Sequence, residues 1–204
     1  MKAVKLNSKT QNRIQVVLED DFSFVLYKGE VRLYKIKEGE EVSQETIDTI
    51  VNEVLPKRAK LRAMNLLKVR PYTFKELREK LRSSDYPDSA VESAIEYVSS
   101  YGYLNDEQYA YDYVYTYHDR KSRMRIMQDL TAKGILKDTI IHALEEFSEE
   151  EGEDFELQQI KSLLVKKHYS DDLPYEEKLK ILAYLCRKGY SVEKCKSVIS
   201  VDFD

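Results

Sequence analysis

The sequence predicts a mainly α-helical chain, a tandem array of three three-helix repeats preceded by a small β-rich N-terminal extension. Two observations carry that prediction. A pattern of apolar residues recurs three times after about residue 60, and the first 37 residues alternate with the period of a strand. The first copy of the pattern is Leu77, Leu81, Asp85-Tyr86, Val91, Ala94 and Ile95. The second is Ile126, Leu130, Gly134-Ile135, Ile140, Ala143 and Leu144, and the third is Ile181, Leu185, Gly189-Tyr190, Cys195, Val198 and Ile199. A single offset relates each pair of neighbours, 49 residues between the first two copies and 55 between the last two. Such repetition marks units that bury apolar faces against one another, and it outranks local propensity as evidence about architecture. The resulting organisation is a β-meander plus helix over 1–57, then three-helix repeats over 58–104, 105–150 and 151–204.

In the extension, Ile14, Val16 and Leu18 alternate with polar neighbours as in a half-buried strand. Asp20-Asp21 supplies a turn, and Phe22, Phe24 and Leu26 resume the alternation. Lys28-Gly29-Glu30 offers a second turn before a third strand carrying Val31, Leu33 and Tyr34. Ser43 caps a helix with the stripe Ile47, Ile50, Val51, Val54 and Leu55, and Pro56 is expected to interrupt it.

Repeat 1 opens on Leu61, Met64, Leu66 and Leu67. Thr73 and Glu76 form a capping box for its second helix, and Pro87-Asp88 precede the third. In repeat 2, Asn105-Asp106 cap a helix that runs to about Tyr117. Repeat 3 opens near Asp154 with Phe155, Leu157, Ile160, Leu163 and Leu164. The acidic run from Ser148 to Asp154 reads as a solvated linker, which accounts for the longer second offset.

Net charge is −4, unevenly distributed. Residues 58–104 hold nine Lys and Arg against six Asp and Glu, whereas 105–150 hold six against ten. A protein that tracks phosphates along its whole length would carry a continuous basic stripe, and this chain does not. Two cysteines fit a reducing compartment without a disulfide framework. Neither a signal core nor an apolar run of membrane-spanning length is present, so a cytoplasmic location and no membrane are expected. The three histidines are widely spaced, with no carboxylate or Cys at ligand intervals, and no nucleotide-binding glycine loop occurs. No catalytic residue, metal site or cofactor is expected.

The junction of repeats 1 and 2 reads Gly102-Tyr103-Leu104-Asn105-Asp106-Glu107-Gln108-Tyr109-Ala110: a helix-ending glycine, an apolar clamp and a capped helix opening on an aromatic-Ala pair. Downstream follow Lys121-Ser122-Arg123-Met124-Arg125-Ile126, Leu130 and Lys133-Gly134-Ile135. These segments resemble the RecX family of recombination regulators, over roughly residues 58–200. Asn105 replaces a family Asp, Tyr109 a Phe and Ser122 a Gly. The resemblance implies a non-enzymatic modulator of the RecA recombinase, linked to DNA repair, recombination and the SOS response. It would bind the RecA–DNA filament as a monomer, with weak contact to single-stranded or duplex DNA.

The residues suited to that contact are Arg78, Lys80, Arg82, Lys121, Arg123, Arg125 and Lys133, whose plain reading is individually solvated charge. On the helix 109–117, Tyr109, Ala110, Tyr113, Val114 and Tyr117 share a core face. Tyr111, Tyr115 and His118 lie opposite, so Tyr111 and Tyr115 are candidate anchors or stacking platforms. Three-helix units also suit helix-turn-helix binding of nucleic acid, or an adaptor with another protein partner.

Overall fold

The computed structural model describes residues 3–19, 21–151 and 154–199. Asp20 of the predicted turn and Gly152-Glu153 of the acidic run lie outside them. The chain divides into two compact units, residues 1–105 and 106–204.

The first unit begins with strands Ala3–Ser8 (β1), Arg13–Leu18 (β2) and Ser23–Tyr27 (β3), paired antiparallel in the order β1-β2-β3. Val16 stands opposite Leu6 and Phe24, so one face of the sheet is apolar. Val16, Leu18, Phe24 and Leu26 are buried there. The third strand of the meander is β1. The segment expected to supply it, around Val31, is instead the helix Lys28–Leu33 (α1). Glu30 decides the matter locally: its carboxylate reaches back one turn and accepts the Tyr27 backbone N–H (2.7 Å). Val31 and Leu33 would share a strand face, but on a helix they diverge, and Leu33 stays 71% exposed.

Ser43 caps Gln44–Thr49 (α2) by accepting the Thr46 N–H at 3.2 Å. The chain then continues through a π-helical turn, Ile50–Val54, into Leu55–Leu67 (α3). Pro56 does not interrupt the run as expected. It occupies the first turn of α3, where the wider π turn behind it absorbs the missing N–H donor. The buried stripe of α3 is Leu55, Ala59, Ala63 and Leu66; Leu61, expected in the stripe, is 63% exposed. Two alanines bring α3 close against Asp88–Ser100 (α5), which contributes Ala90 and Ala94 to the same core. Phe74–Arg82 (α4) starts at the predicted box, with Thr73 Oγ1 accepting the Glu76 N–H (3.1 Å). A single core joins the sheet, α2, α3, α4 and α5 and extends to Leu104. Gly102, at φ 71°, ends α5 as predicted.

The second unit contains Asp106–Tyr117 (α6), Arg123–Ala132 (α7), Lys137–Glu151 (α8), Phe155–Lys166 (α9), Tyr175–Arg187 (α10) and Val192–Lys196 (α11). Helix α8 continues through Ser148–Glu151, so most of the supposed acidic linker is helix. The Ser148 hydroxyl bonds back to the Leu144 carbonyl (2.7 Å), and Glu propagates a helix well. Asp154 then caps α9, accepting the Glu156 N–H at 3.0 Å.

The threefold pattern holds at its central positions, while Tyr86 and Val198 are only partly buried and α11 ends at Lys196, short of Val198. Leu77, Ile126 and Ile181 are buried, as are Leu81, Leu130 and Leu185 and Val91, Ile140 and Cys195. The turn between second and third helices passes through a left-handed residue in every copy: Asp85 at φ 66°, Gly134 at 88° and Gly189 at 93°. Repeat 2 and repeat 3 have separate cores, and α9 serves both. Its Phe155 belongs to the first, while Ile160 and Leu164 belong to the second.

Candidate functional site

The predicted basic residues divide into charges bound within the protein and charges that face outward. Arg78 on α4 forms a two-pronged pair with Glu92 on α5, Nε–Oε1 2.7 Å and Nη2–Oε2 2.8 Å. That bonding holds the Glu92 carboxyl below its usual range. Arg82 bonds Asp88 at 2.8 Å, and Lys80, on the other side of α4, is exposed.

In the second unit, Lys121 donates to Asp129 Oδ2 (2.8 Å) and to the Tyr113 hydroxyl (2.7 Å), with its ammonium 4.1 Å from the Tyr117 ring centroid. Burial disfavours both charges of the Lys121–Asp129 pair. Their mutual bond prevails, raising the lysine pKa and lowering the carboxyl's. Arg125, 60% exposed, touches the same carboxylate at 3.3 Å and otherwise faces out. Lys133 stands 5.4 Å from the Tyr109 ring centroid.

Arg123 is a joining residue. Its backbone N–H donates to Glu156 Oε1 (2.7 Å), its guanidinium bonds Ser148 and lies 5.0 Å from the Phe155 ring centroid. Glu156 is 4% exposed and also accepts Lys194 Nζ at 2.7 Å, which reaches Asp154 at 2.7 Å as well. Burial opposes the Asp154 charge, but Lys194 outweighs it and keeps that carboxyl below its ordinary range. Repeats 2 and 3 are thus joined by matched charge centred on one buried carboxylate. Polar bonds extend the junction: Gln159 donates to the carbonyls of His118 and Lys121 (3.2 Å to the latter) and accepts the Tyr190 hydroxyl at 2.6 Å. Burial pushes that Tyr190 hydroxyl up to about 12.

Ser122, at the family glycine position, caps α7 by accepting the Arg125 N–H (3.3 Å) and donates to the Lys188 carbonyl (2.9 Å). A β-carbon on Gly189 would meet its Oγ at 2.5 Å. The cap was open to sequence reasoning, because Ser122 and Thr73 stand one repeat offset apart. Lys194 and Glu156 had no such signal; each reads as an ordinary helix-surface charge.

The tyrosines also rearrange the expectation. Ala110 and Val114 are buried, with Tyr109, Tyr113 and Tyr117 half-buried beside them. The opposite face of α6 is covered too, since Phe147 of α8 packs there. Tyr111 lies edge-on to Phe147 and bonds Glu150, and the His118 ring centroid is 4.6 Å from Phe147. Tyr115 alone of that trio remains 61% exposed. In the first unit, Tyr97, Tyr101 and Tyr103 form a ladder with centroid spacings of 5.0 and 6.2 Å. Tyr103, read as part of an apolar clamp, is 56% exposed, and only Leu104 is clamped.

Along the outer side of α7, Met124, Met127, Gln128, Thr131 and Ala132 face Gly189 across a mainly apolar groove of about 730 Å³. Cys195 is fully buried, and burial raises its thiol to about 11, far from a reactive thiolate. Among the described residues no group of three His, Cys, Asp or Glu could hold a metal, and no helix is long and apolar enough to cross a membrane.

Exposed tyrosines, outward charges and a methionine groove stand on repeated three-helix modules, the frame of a helical-repeat protein. Residues 59–97 match the RecX first three-helix domain and residues 105–144 the RecX second three-helix domain. Both segments are RecX-family domains, and the likeness to RecX proteins extends over nearly the whole chain. The chain is 28% identical to the regulatory protein RecX of Clostridium perfringens over 199 residues, covering 97% of this chain and 93% of that one. It is also 28% identical to RecX of Clostridioides difficile over 209 residues, covering 98% and 95%. The crystal structure of RecX from Lactobacillus salivarius superimposes with a TM-score of 0.63 at 26% identity, over 71% of this chain and 94% of that one. The first two relatives are both named as regulatory proteins.

Proposed function

We propose that this chain binds the filament that RecA forms on single-stranded DNA and limits its extension, ATP hydrolysis and strand exchange, acting as a monomer in the cytoplasm. The observation that carries this reading is the match to RecX regulators over nearly the whole chain, both named three-helix domains included. Several modules touching neighbouring protomers favour the assembled filament over free subunits through effective concentration. The contact surface we assign on the second unit is the outer side of α7 with Arg125, the methionine groove and Lys133, together with exposed Tyr115 of α6; exposed Lys80 is a separate candidate on the first unit. Lys121 and Arg123 shape that surface while bonded internally. Methionine side chains adapt to a partner's contours, and an exposed Tyr gives a large contact at low entropic cost.

Binding of the purified protein to free DNA, free RecA and the RecA–DNA filament across a salt series tests the reading, together with RecA ATP hydrolysis. Filament binding is expected to survive moderate salt and to slow hydrolysis, whereas free-DNA binding falls steeply. No effect on RecA of the same species would sink the proposal. Arg125→Glu is expected to weaken inhibition by about tenfold with an unchanged melting temperature, in the range of an interfacial charge contact. An unaltered inhibition curve would remove Arg125 from the surface.

A further inference from the structure

A small cavity in the first unit gives the β extension chemistry of its own. Arg13 of β2, Tyr27 at the end of β3, Arg58 and Arg62 one turn apart on α3, and Ser84 and Tyr86 around the left-handed Asp85 enclose about 200 Å³. That is the share of roughly six waters in the liquid. It admits one tetrahedral anion but not a nucleoside beside it.

Two of the three guanidinium groups are held in place. Arg58 lies 4.2 Å from the Tyr27 ring centroid and 5.9 Å from that of Tyr86, and its Nη1 donates to Val25 O (3.2 Å) and Glu30 Oε2 (3.0 Å). Arg13 uses Nη2 for the Ser84 carbonyl and for Asp85 Oδ2 (3.3 Å). A guanidinium has five N–H donors, so each retains donors beyond these bonds. Arg62 adds an exposed third. Lys9 also pairs with Asp85 (3.3 Å), so four cations meet the two carboxylates of Asp85 and Glu30 and leave an excess of two positive charges. Burial raises the Tyr86 hydroxyl pKa while Arg58, Arg13 and Arg62 all pull it down, so the field of all three arginines reaches that one oxygen. It stays a neutral donor at pH 7.

We propose that this cavity grips one backbone phosphate of a single-stranded polynucleotide, through Arg62, the remaining donors of Arg13 and Arg58, and the Tyr86 hydroxyl. Forked guanidinium groups match the paired oxygens of a phosphodiester. The adjoining nucleoside must lie outside a cavity this small, and Tyr27, 47% exposed at the rim, offers it an aromatic surface. The site is independent of the RecA reading, and its test omits RecA.

The full chain is titrated against a labelled oligothymidylate by fluorescence anisotropy at several salt concentrations, with inorganic phosphate and oligoglutamate as competitors. Arg62→Gln is expected to weaken binding about five- to tenfold and to flatten the log–log salt slope by about 0.7. Tyr86→Phe is expected to weaken it about threefold with a smaller change of slope, as loss of one hydrogen bond. Lys161→Gln, in the other unit, should leave the isotherm unchanged. The proposal is overturned if wild-type protein does not bind the oligonucleotide at low salt. It is equally overturned if Arg62→Gln and Tyr86→Phe bind like wild type with unchanged melting temperatures. Competition by inorganic phosphate or oligoglutamate as effective as unlabelled oligonucleotide would assign the cavity to a free anion or an acidic protein segment instead.

Discussion

Glu156 shows how much a single side chain can carry in a protein with small cores. It is buried, it accepts Lys194 Nζ and the Arg123 backbone N–H, and the Arg123 guanidinium stands 4.0 Å away. Removing one member of a buried charge set leaves the rest uncompensated, so Glu156→Ala should destabilise the second unit by about 3–5 kcal/mol in denaturant unfolding. A loss below about 1 kcal/mol would show the junction to be solvated. The same logic separates two neighbouring arginines that look alike in sequence. Charge reversal at Arg123 would set a carboxylate against Glu156 and damage folding, whereas Arg125 points away from the junction. Residues 123 and 125 were legible as basic, but their division of labour depends on Glu156, 33 positions beyond Arg123, and could not be read from spacing.

At the level of elements, the repeat offset proved the most readable feature. It located the left-handed turns and the core positions together, because each copy solves the same packing problem. Leu130→Ala, at the centre of α7, should cost about 2–5 kcal/mol through the cavity it leaves, measured by chemical unfolding. Near-wild-type stability would contradict its core position. The α7–α10 junction gives a sharper test. Gly189→Ala adds a β-carbon against a Ser122 hydroxyl fixed by two hydrogen bonds, at a φ of 93°. A loss of about 1–3 kcal/mol is expected, and it should shrink in a Ser122→Ala background once the clashing oxygen is gone. Strictly additive effects would argue against the contact. The strand misread at α1 has a local cause: alternation over three or four residues fits a strand and a short helix equally, and the Glu30 carboxylate on the Tyr27 N–H decided between them.

For the whole molecule, the ion pairs set a pH window. Asp129 and Asp154 have folded pKa values below their ordinary 3.8, so their contribution is present above that value and is lost as pH falls through the folded pKa. Lys121 is raised above 10.5, so its contribution is present below that value and is lost as pH rises through the folded pKa. Melting temperature should therefore be flat between about pH 5 and 9 and decline outside that range. In Asp129→Asn the acid decline should be shallower, and an unchanged acid limb would reject the assignment. The function was legible only through resemblance. Composition and charge excluded catalysis and a continuous phosphate track, but they could not name a partner, because contact surfaces are assembled from residues far apart in sequence.

The shared core of the first unit bears on how this protein comes apart. Phe24 and Leu26 of the sheet, Ile50 of the π turn and Ala90 of α5 belong to one apolar cluster. The N-terminal sheet is therefore part of a single foldon with the first three-helix module, and its slowest amide protons should exchange together with those of α3 and α5. A chain shortened to begin at residue 58 would not be a trimmed regulator. It would be a module stripped of half its interior, prone to aggregate, and its loss of activity would say nothing about where the partner binds.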